Sequence, residues 1–121
     1  MSVALWTGVV LIGGAGSVLR FLVDRAIASR TASTFPYGTL AVNLSGSVLL
    51  GLITGLALAH DQALLAGTAA VGSYTTFSTW MFETQRLGEE RQVLSLAANV
   101  LVSLATGVAA AALGQMVGSQ L

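Results

Sequence analysis

The sequence contains no cysteine and no lysine, a single proline and very few charged residues. Without cysteine the chain forms no disulfide bond, no thiolate metal site and no thiol nucleophile. Its five arginines are balanced by five acidic residues, and this neutral total argues against a nucleic-acid-binding surface. The one histidine, His60, stands beside Asp61, and a solvated turn is favoured there over a metal site because two ligands are too few. No residue pattern points to catalysis or to an organic cofactor.

What the sequence has in abundance is apolar residues. They make up 55% of the chain, charged residues make up 8%, and the mean hydropathy is +0.82, values typical of a membrane protein. A helix needs about 20 apolar residues to cross the hydrocarbon core of a bilayer. Cutting the chain at its charges and at Pro36 therefore predicts one transmembrane domain over residues 1–121, with helices at about 3–28, 36–59, 63–86 and 92–117.

Small and polar residues recur every four positions in two of these helices. The stripes are Thr39, Asn43, Ser47, Gly51 and Gly55 in the second helix, and Ser95, Asn99, Ser103, Gly107 and Ala111 in the fourth. Residues four apart share one helix face. Such a face serves either close helix packing or a polar pathway, because uncharged amides at membrane depth need partners or water.

The third helix carries a cluster of hydroxyl groups in the stretch GSYTTFSTWMFE, residues 72–83. Thr75, Thr76, Ser78 and Thr79 point around most of a helical turn, which a straight lipid-facing helix would not do. Glycine and β-branched residues weaken helix propensity, so we predict a break near residues 72–76. Unwound backbone inside a membrane exposes carbonyls that suit a cation and amide groups that suit an anion.

Three motifs in chain order resemble the Fluc (CrcB) family of fluoride channels. They are Gly-Gly-x-Gly-x-x-x-Arg at 13–20, Pro-Tyr-Gly-Thr-x-x-x-Asn-x-x-Gly at 36–46 and Gly-x-x-Thr-Thr-Phe-Ser-Thr-aromatic-x-x-Glu at 72–83. The resemblance covers essentially the whole chain. It implies a multi-pass protein of the inner (plasma) membrane that lets fluoride leave the cell passively and so relieves fluoride toxicity. The implied fold is an all-α bundle of four transmembrane helices, paired as an antiparallel, dual-topology homodimer with two pores.

The resemblance also implies roles for individual residues. A structural sodium ion at the dimer interface would be held by the backbone carbonyls of Gly72 and Thr75, and Arg20 would lie in an aqueous vestibule. The predicted pore-lining residues are Thr39, Asn43, Thr76, Phe77, Thr79, Trp80, Asn99 and Ser103. Two positions depart from the family: Trp80 replaces a phenylalanine, and Asn99 stands where many members have tyrosine. The indole N–H of Trp80 either adds a donor to an ion site or belongs to a packing residue.

A proton-coupled exporter similar to the small multidrug resistance proteins is the alternative function. Those proteins need a carboxylate inside helix 1, whereas this helix has none before Asp24 and carries Arg20 instead. Arg20 and Asp24 are four residues apart, so an ion pair within the helix is as reasonable as an anion-attracting vestibule. Glu83 is interpreted as a helix-end carboxylate. A non-transporting assembly subunit would explain the glycines but not the polar residues.

The arginines raise a question about orientation. With four spans, all five arginines (20, 25, 30, 86 and 91) lie on or near one side of the membrane. The positive-inside rule places that side in the cytoplasm. A homodimer is favoured here, and the alternative is a heterodimer with an oppositely oriented homologue.

Overall fold

The computed structural model describes residues 1–121, and every regular element in it is helical. The elements are α1 (Val3–Ala28), α2 (Tyr37–Leu56), α3 (His60–Ala63), a π-helix (Leu64–Val71), α4 (Gly72–Tyr74), α5 (Ser78–Glu89) and α6 (Val93–Gly118). Of these, α1, α2 and α6 are long and apolar enough to cross a membrane. The prediction of an all-helical protein with membrane-spanning helices is confirmed, and the count of four spans stays a prediction.

The region predicted as the third span is divided. From His60 to Tyr74 the chain is continuously helical, then Thr75 adopts an extended conformation with ψ of 160° and α5 begins at Ser78. The break therefore occupies residues 75–77, later than the predicted interval 72–76. Gly72 does not break the helix because its N–H donates to the carbonyl of Gly67, which continues the π-helical hydrogen bonding.

Local chemistry explains where the other helices begin and end. The hydroxyl of Ser2 accepts the N–H of Leu5 at 3.1 Å and caps α1. Pro36 precedes α2, where its fixed φ and missing N–H are tolerated. Ala57 adopts a left-handed conformation with φ of 52°, so α2 ends at Leu56 rather than at residue 59. Arg91, with φ of 58°, turns the chain between α5 and α6.

Helices α2 and α6 pack closely and run parallel. A Cβ on Gly51 would meet the carbonyl of Ala111, and one on Gly55 would meet the carbonyl of Gln115, so residue numbers rise together along both helices. Such close backbone approach is the use that membrane helices make of small residues. Because α2 and α6 are parallel, the connections leading into both of them lie at the same end of the molecule.

The outer surface is largely apolar. Only 16 of the 121 residues are buried, and large side chains such as Trp6 and Phe77 are 57% and 70% exposed. The hydrophobic stretches of α1 and α6 are each 6% buried within the chain. These surfaces suit hydrocarbon or a second subunit.

Candidate functional site

The break between α4 and α5 is held by the side chain of Asn43 on α2. The Asn43 amide nitrogen donates to the carbonyl of Thr76, and the Thr76 N–H donates to the Asn43 side-chain oxygen, both at 2.9 Å. Backbone groups that leave a helix inside a membrane need other partners, and Thr76 is only 9% exposed. Asn43 thus replaces the two helical hydrogen bonds that the backbone of Thr76 has lost. We call this pair the Asn43–Thr76 clamp.

Thr76 also organises the start of α5. Its hydroxyl oxygen accepts the N–H of Thr79 at 3.1 Å, in the manner of a helix-capping residue. The hydroxyl lies 3.4 Å from that of Ser78. Thr76 and Thr79 therefore belong to the local structure of the break as well as to the predicted ion pathway.

The break also frees the two carbonyls that were predicted to hold sodium. The Thr76 N–H, which in a continuous helix would bond to Gly72, donates to Asn43 instead. The Thr79 N–H donates to the Thr76 hydroxyl and not to the carbonyl of Thr75. Both carbonyls lack their usual donor four residues later, and Gly72 is exposed on the surface of the chain. Unpaired backbone oxygens of this kind are suitable ligands for a hard cation.

A cavity of about 180 Å³, here called the vestibule cavity, lies on one side of the clamp. It brings four predicted residues together: Arg20, Thr39, Thr76 and Thr79. Asp24 also lines it, and Asp24 packs where a side chain at position 38 would lie, so Gly38 is needed for this approach. The vestibule cavity therefore combines one cation, one carboxylate and several hydroxyl groups.

Asn43 borders two further cavities. The break cavity, of about 240 Å³, is bordered by Asn43, Thr75, Thr76 and Phe77. The α2–α6 groove, of about 290 Å³, is bordered by Asn43, Trp80 and Ser103. Ser47 borders both of them. Thr76 also borders the vestibule cavity, so each of the three cavities is bordered by at least one residue of the clamp.

Phe77 and Trp80 form an aromatic pair beside the break. Their ring centroids are 5.7 Å apart and the rings are inclined at 81°, an edge-to-face arrangement. Phe77 is 70% exposed, whereas the indole N–H of Trp80 donates to the backbone carbonyl of Asn99 at 3.0 Å. In this structure the Trp80 N–H is occupied by the protein, so it adds no free donor to the cavities.

Of the predicted pore residues, Asn99 is bonded to Trp80, and its side chain points away from the cavities. Its side chain is 1% exposed, and its amide nitrogen donates to the hydroxyl of Thr84 at 2.9 Å. It lines none of the three cavities described above. Within the single chain, Asn99 links α6 to α5.

Glu83 takes a position that the sequence interpretation missed. It lies in the middle of α5, not at a helix end, and its half-buried carboxylate accepts a hydrogen bond from the hydroxyl of Thr39. The helix-end interpretation is therefore wrong. The sequence did contain an indication of this position, because Thr79 and Glu83 are four residues apart and so share one face of α5.

Comparison with known proteins identifies the family of the chain. The family described as CrcB-like protein, Camphor Resistance (CrcB), matches residues 7–115. Proteins named fluoride-specific ion channel FluC 2 from Mycobacterium bovis and Mycobacterium tuberculosis are 66% identical over 97% of this chain and 93% of their own length. A fluoride-specific ion channel FluC 1 from Frankia casuarinae is 42% identical over 90% of this chain and 92% of its own. The chain therefore belongs to the CrcB family, which is a family of ion channels and not of enzymes.

Proposed function

We propose that this protein is a subunit of a fluoride-selective passive channel that exports fluoride across the cytoplasmic membrane and relieves fluoride toxicity. The observation that carries the proposal is that the Asn43–Thr76 clamp contributes to the lining of three cavities, beside the exposed ring of Phe77. The names of the 66%-identical relatives favour fluoride as the ion.

The chemistry around the clamp suits a small, strongly hydrated anion. A pore must replace the water of the ion with hydrogen-bond donors while still allowing the ion to leave. The neutral hydroxyl and amide groups of Thr79, Asn43 and Ser103 offer donors without a fixed positive charge. The ring edge of Phe77 is weakly positive and adds a mild attraction. Arg20, in the vestibule cavity, would raise the local concentration of anions at the entrance.

The working unit in this proposal is an antiparallel dimer with two pores. Phe77 and the extensive apolar surface are exposed in the single chain, so a partner would enclose the pathway. The carbonyls of Gly72 and Thr75, duplicated by the partner, would give four oxygen ligands for a structural sodium ion. That ion would supply positive potential near the pathway and favour anions there.

A second candidate, a heterodimeric channel, is favoured by the arginines. Arg20, Arg25 and Arg30 lie in or after the last part of α1, and Arg86 and Arg91 lie near the end of α5. Both stretches lead to the end of the molecule where α2 and α6 begin. An arginine bias of this kind favours one orientation in the membrane. The partner would then be an oppositely oriented homologue.

Fluoride efflux from proteoliposomes tests the proposal. Purified protein is reconstituted with potassium fluoride inside, and valinomycin releases the counter-ion while an electrode records fluoride outside. We expect rapid fluoride loss, with chloride retained in a parallel chloride-loaded sample. Equal leakage of both ions would refute selectivity. Absence of efflux that is restored by co-reconstitution with a homologous subunit would favour the heterodimer, and absence of efflux in both preparations would contradict the channel proposal.

A further inference from the structure

A closed ring of hydrogen bonds joins α5 to α6. The indole N–H of Trp80 donates to the backbone carbonyl of Asn99 at 3.0 Å, and the Asn99 side chain donates to the Thr84 hydroxyl at 2.9 Å. The Thr84 hydroxyl in turn donates to the backbone carbonyl of Trp80 at 2.8 Å. The ring thus starts and ends at Trp80 and passes through a side chain that is 1% exposed.

The ring lies where α5 most needs support. Residues 75–77 are not helical, so the helix before the break does not fix the direction of α5. Phe77 immediately precedes α5. Its phenyl group contacts the indole of Trp80, with 5.7 Å between the centroids of the two aromatic groups. Anything that fixes Trp80 against α6 therefore also fixes the position of Phe77.

We propose that Trp80 is a positioning residue: the ring it forms with Asn99 and Thr84 holds α5 on α6 and sets the orientation in which Phe77 faces the ion pathway. The part concerning Phe77 rests on the proposed function, while the anchoring of α5 does not. Indole has one N–H donor and no acceptor. Since that donor is used on the Asn99 carbonyl, Trp80 acts through Phe77 and not as an ion ligand.

A double-mutant cycle separates this role from simple packing. Trp80→Phe keeps the aromatic ring but removes the N–H, and Thr84→Val keeps the side-chain shape but removes the hydroxyl. Thr84→Ser retains the hydroxyl and serves as the rescue variant. Trp6→Phe on α1 and Thr106→Val on α6 are matched controls, because both residues are exposed and Thr106 bonds only within its own helix.

Each substitution that opens the ring should lower fluoride efflux by roughly twofold to 160-fold, the range that interaction energies within one hydrogen-bonded network correspond to. In the Trp80→Phe background, Thr84→Val should have a smaller effect than in the unmodified protein, because the ring is already open and only the Asn99–Thr84 bond is left to lose. The ratio of fluoride to chloride efflux should fall together with the rate, and Thr84→Ser should restore both. Additive effects of the two substitutions, or loss of rate with unchanged selectivity, would overturn the proposal.

Tryptophan fluorescence tests the ring independently of transport. In the Trp6→Phe protein, Trp80 is the only tryptophan, because the sequence contains two. Its emission maximum should shift with Thr84→Val, which opens the ring, and should not respond to sodium fluoride any more than to sodium chloride. A shift specific to fluoride would show that the indole binds the ion. If the unmodified protein carried no fluoride, the proposed function would fail. The change in the Trp80 emission maximum caused by Thr84→Val would still show whether the hydrogen-bonded ring holds Trp80.

Discussion

Replacing Asn43 by leucine would remove both hydrogen bonds of the Asn43–Thr76 clamp. The N–H and the carbonyl of Thr76, a residue that is 9% exposed, would then lack partners. A buried polar group without a partner costs about 1–3 kcal/mol, so two cost about 2–6 kcal/mol. Single interhelical hydrogen bonds in bilayers average only ~0.6 kcal/mol, which lowers the expected loss to about 1 kcal/mol if water reaches the break. Asn43→Leu should therefore destabilise the protein by about 1–6 kcal/mol.

Asn43→Asp should have a smaller effect on unfolding and a large effect on conduction. A carboxylate still accepts from the Thr76 N–H but no longer donates to its carbonyl, so about half of the loss is expected. The negative charge would also repel an anion in the adjoining cavities. Reversible unfolding in detergent gives the first quantity, and fluoride efflux gives the second.

The control for both variants is Thr54→Val, also on α2. The Thr54 hydroxyl is bonded only to the Leu50 carbonyl of its own helix, so the change should stay within about 0.5 kcal/mol of the unmodified protein. If Asn43→Leu were no less stable than Thr54→Val, the clamp would not support the break. Unaltered fluoride efflux in Asn43→Asp would remove Asn43 from the ion pathway.

Three other substitutions test separate parts of the structure. Phe77→Ile should abolish or sharply reduce fluoride efflux while dimers persist in size-exclusion chromatography, and normal efflux would contradict its place in the pathway. Gly51→Ala should cost about 1–3 kcal/mol in unfolding experiments because its Cβ collides with the α6 backbone, whereas Gly13→Ala, where a Cβ meets nothing within 4 Å, should not. Thr76→Val should remove the cap of α5, costing about 1 kcal/mol and speeding hydrogen exchange in its first turn; unchanged exchange there would refute the capping role.

Hydrophobicity and the spacing of charges predicted the helical membrane fold, because uninterrupted apolar runs of membrane length are visible in the sequence itself. They did not predict the exact position of the break. Glycine marks a weak point in a helix, but Gly72 remains helical because its N–H reaches the Gly67 carbonyl. The helix ends instead where the Thr76 N–H finds a partner on α2. That contact spans 33 residues of sequence and leaves no trace in local propensity.

The polar residues were found by pattern, but their partners were not. The stripe through Thr39 and Asn43 places both on one face of α2, and the structure brings that face to α5 and to the break. The family resemblance pointed to Trp80 as an altered pore position. Only the structure shows that the indole N–H of Trp80 donates to the Asn99 carbonyl on α6. The sequence does not indicate which acceptor a side-chain donor meets, because that depends on tertiary packing.

In the proposed channel, Asn43 serves the break and the ion at the same time. A primary amide carries two N–H groups, and the clamp uses one of them, on the Thr76 carbonyl. The side chain also borders the break cavity and the α2–α6 groove, where the second N–H has no protein partner. The clamp fixes the amide through two bonds, so the remaining donor is held in place before an ion arrives. A donor that is already oriented loses little conformational entropy when it replaces water around an anion, which favours binding of the ion in the proposed pathway.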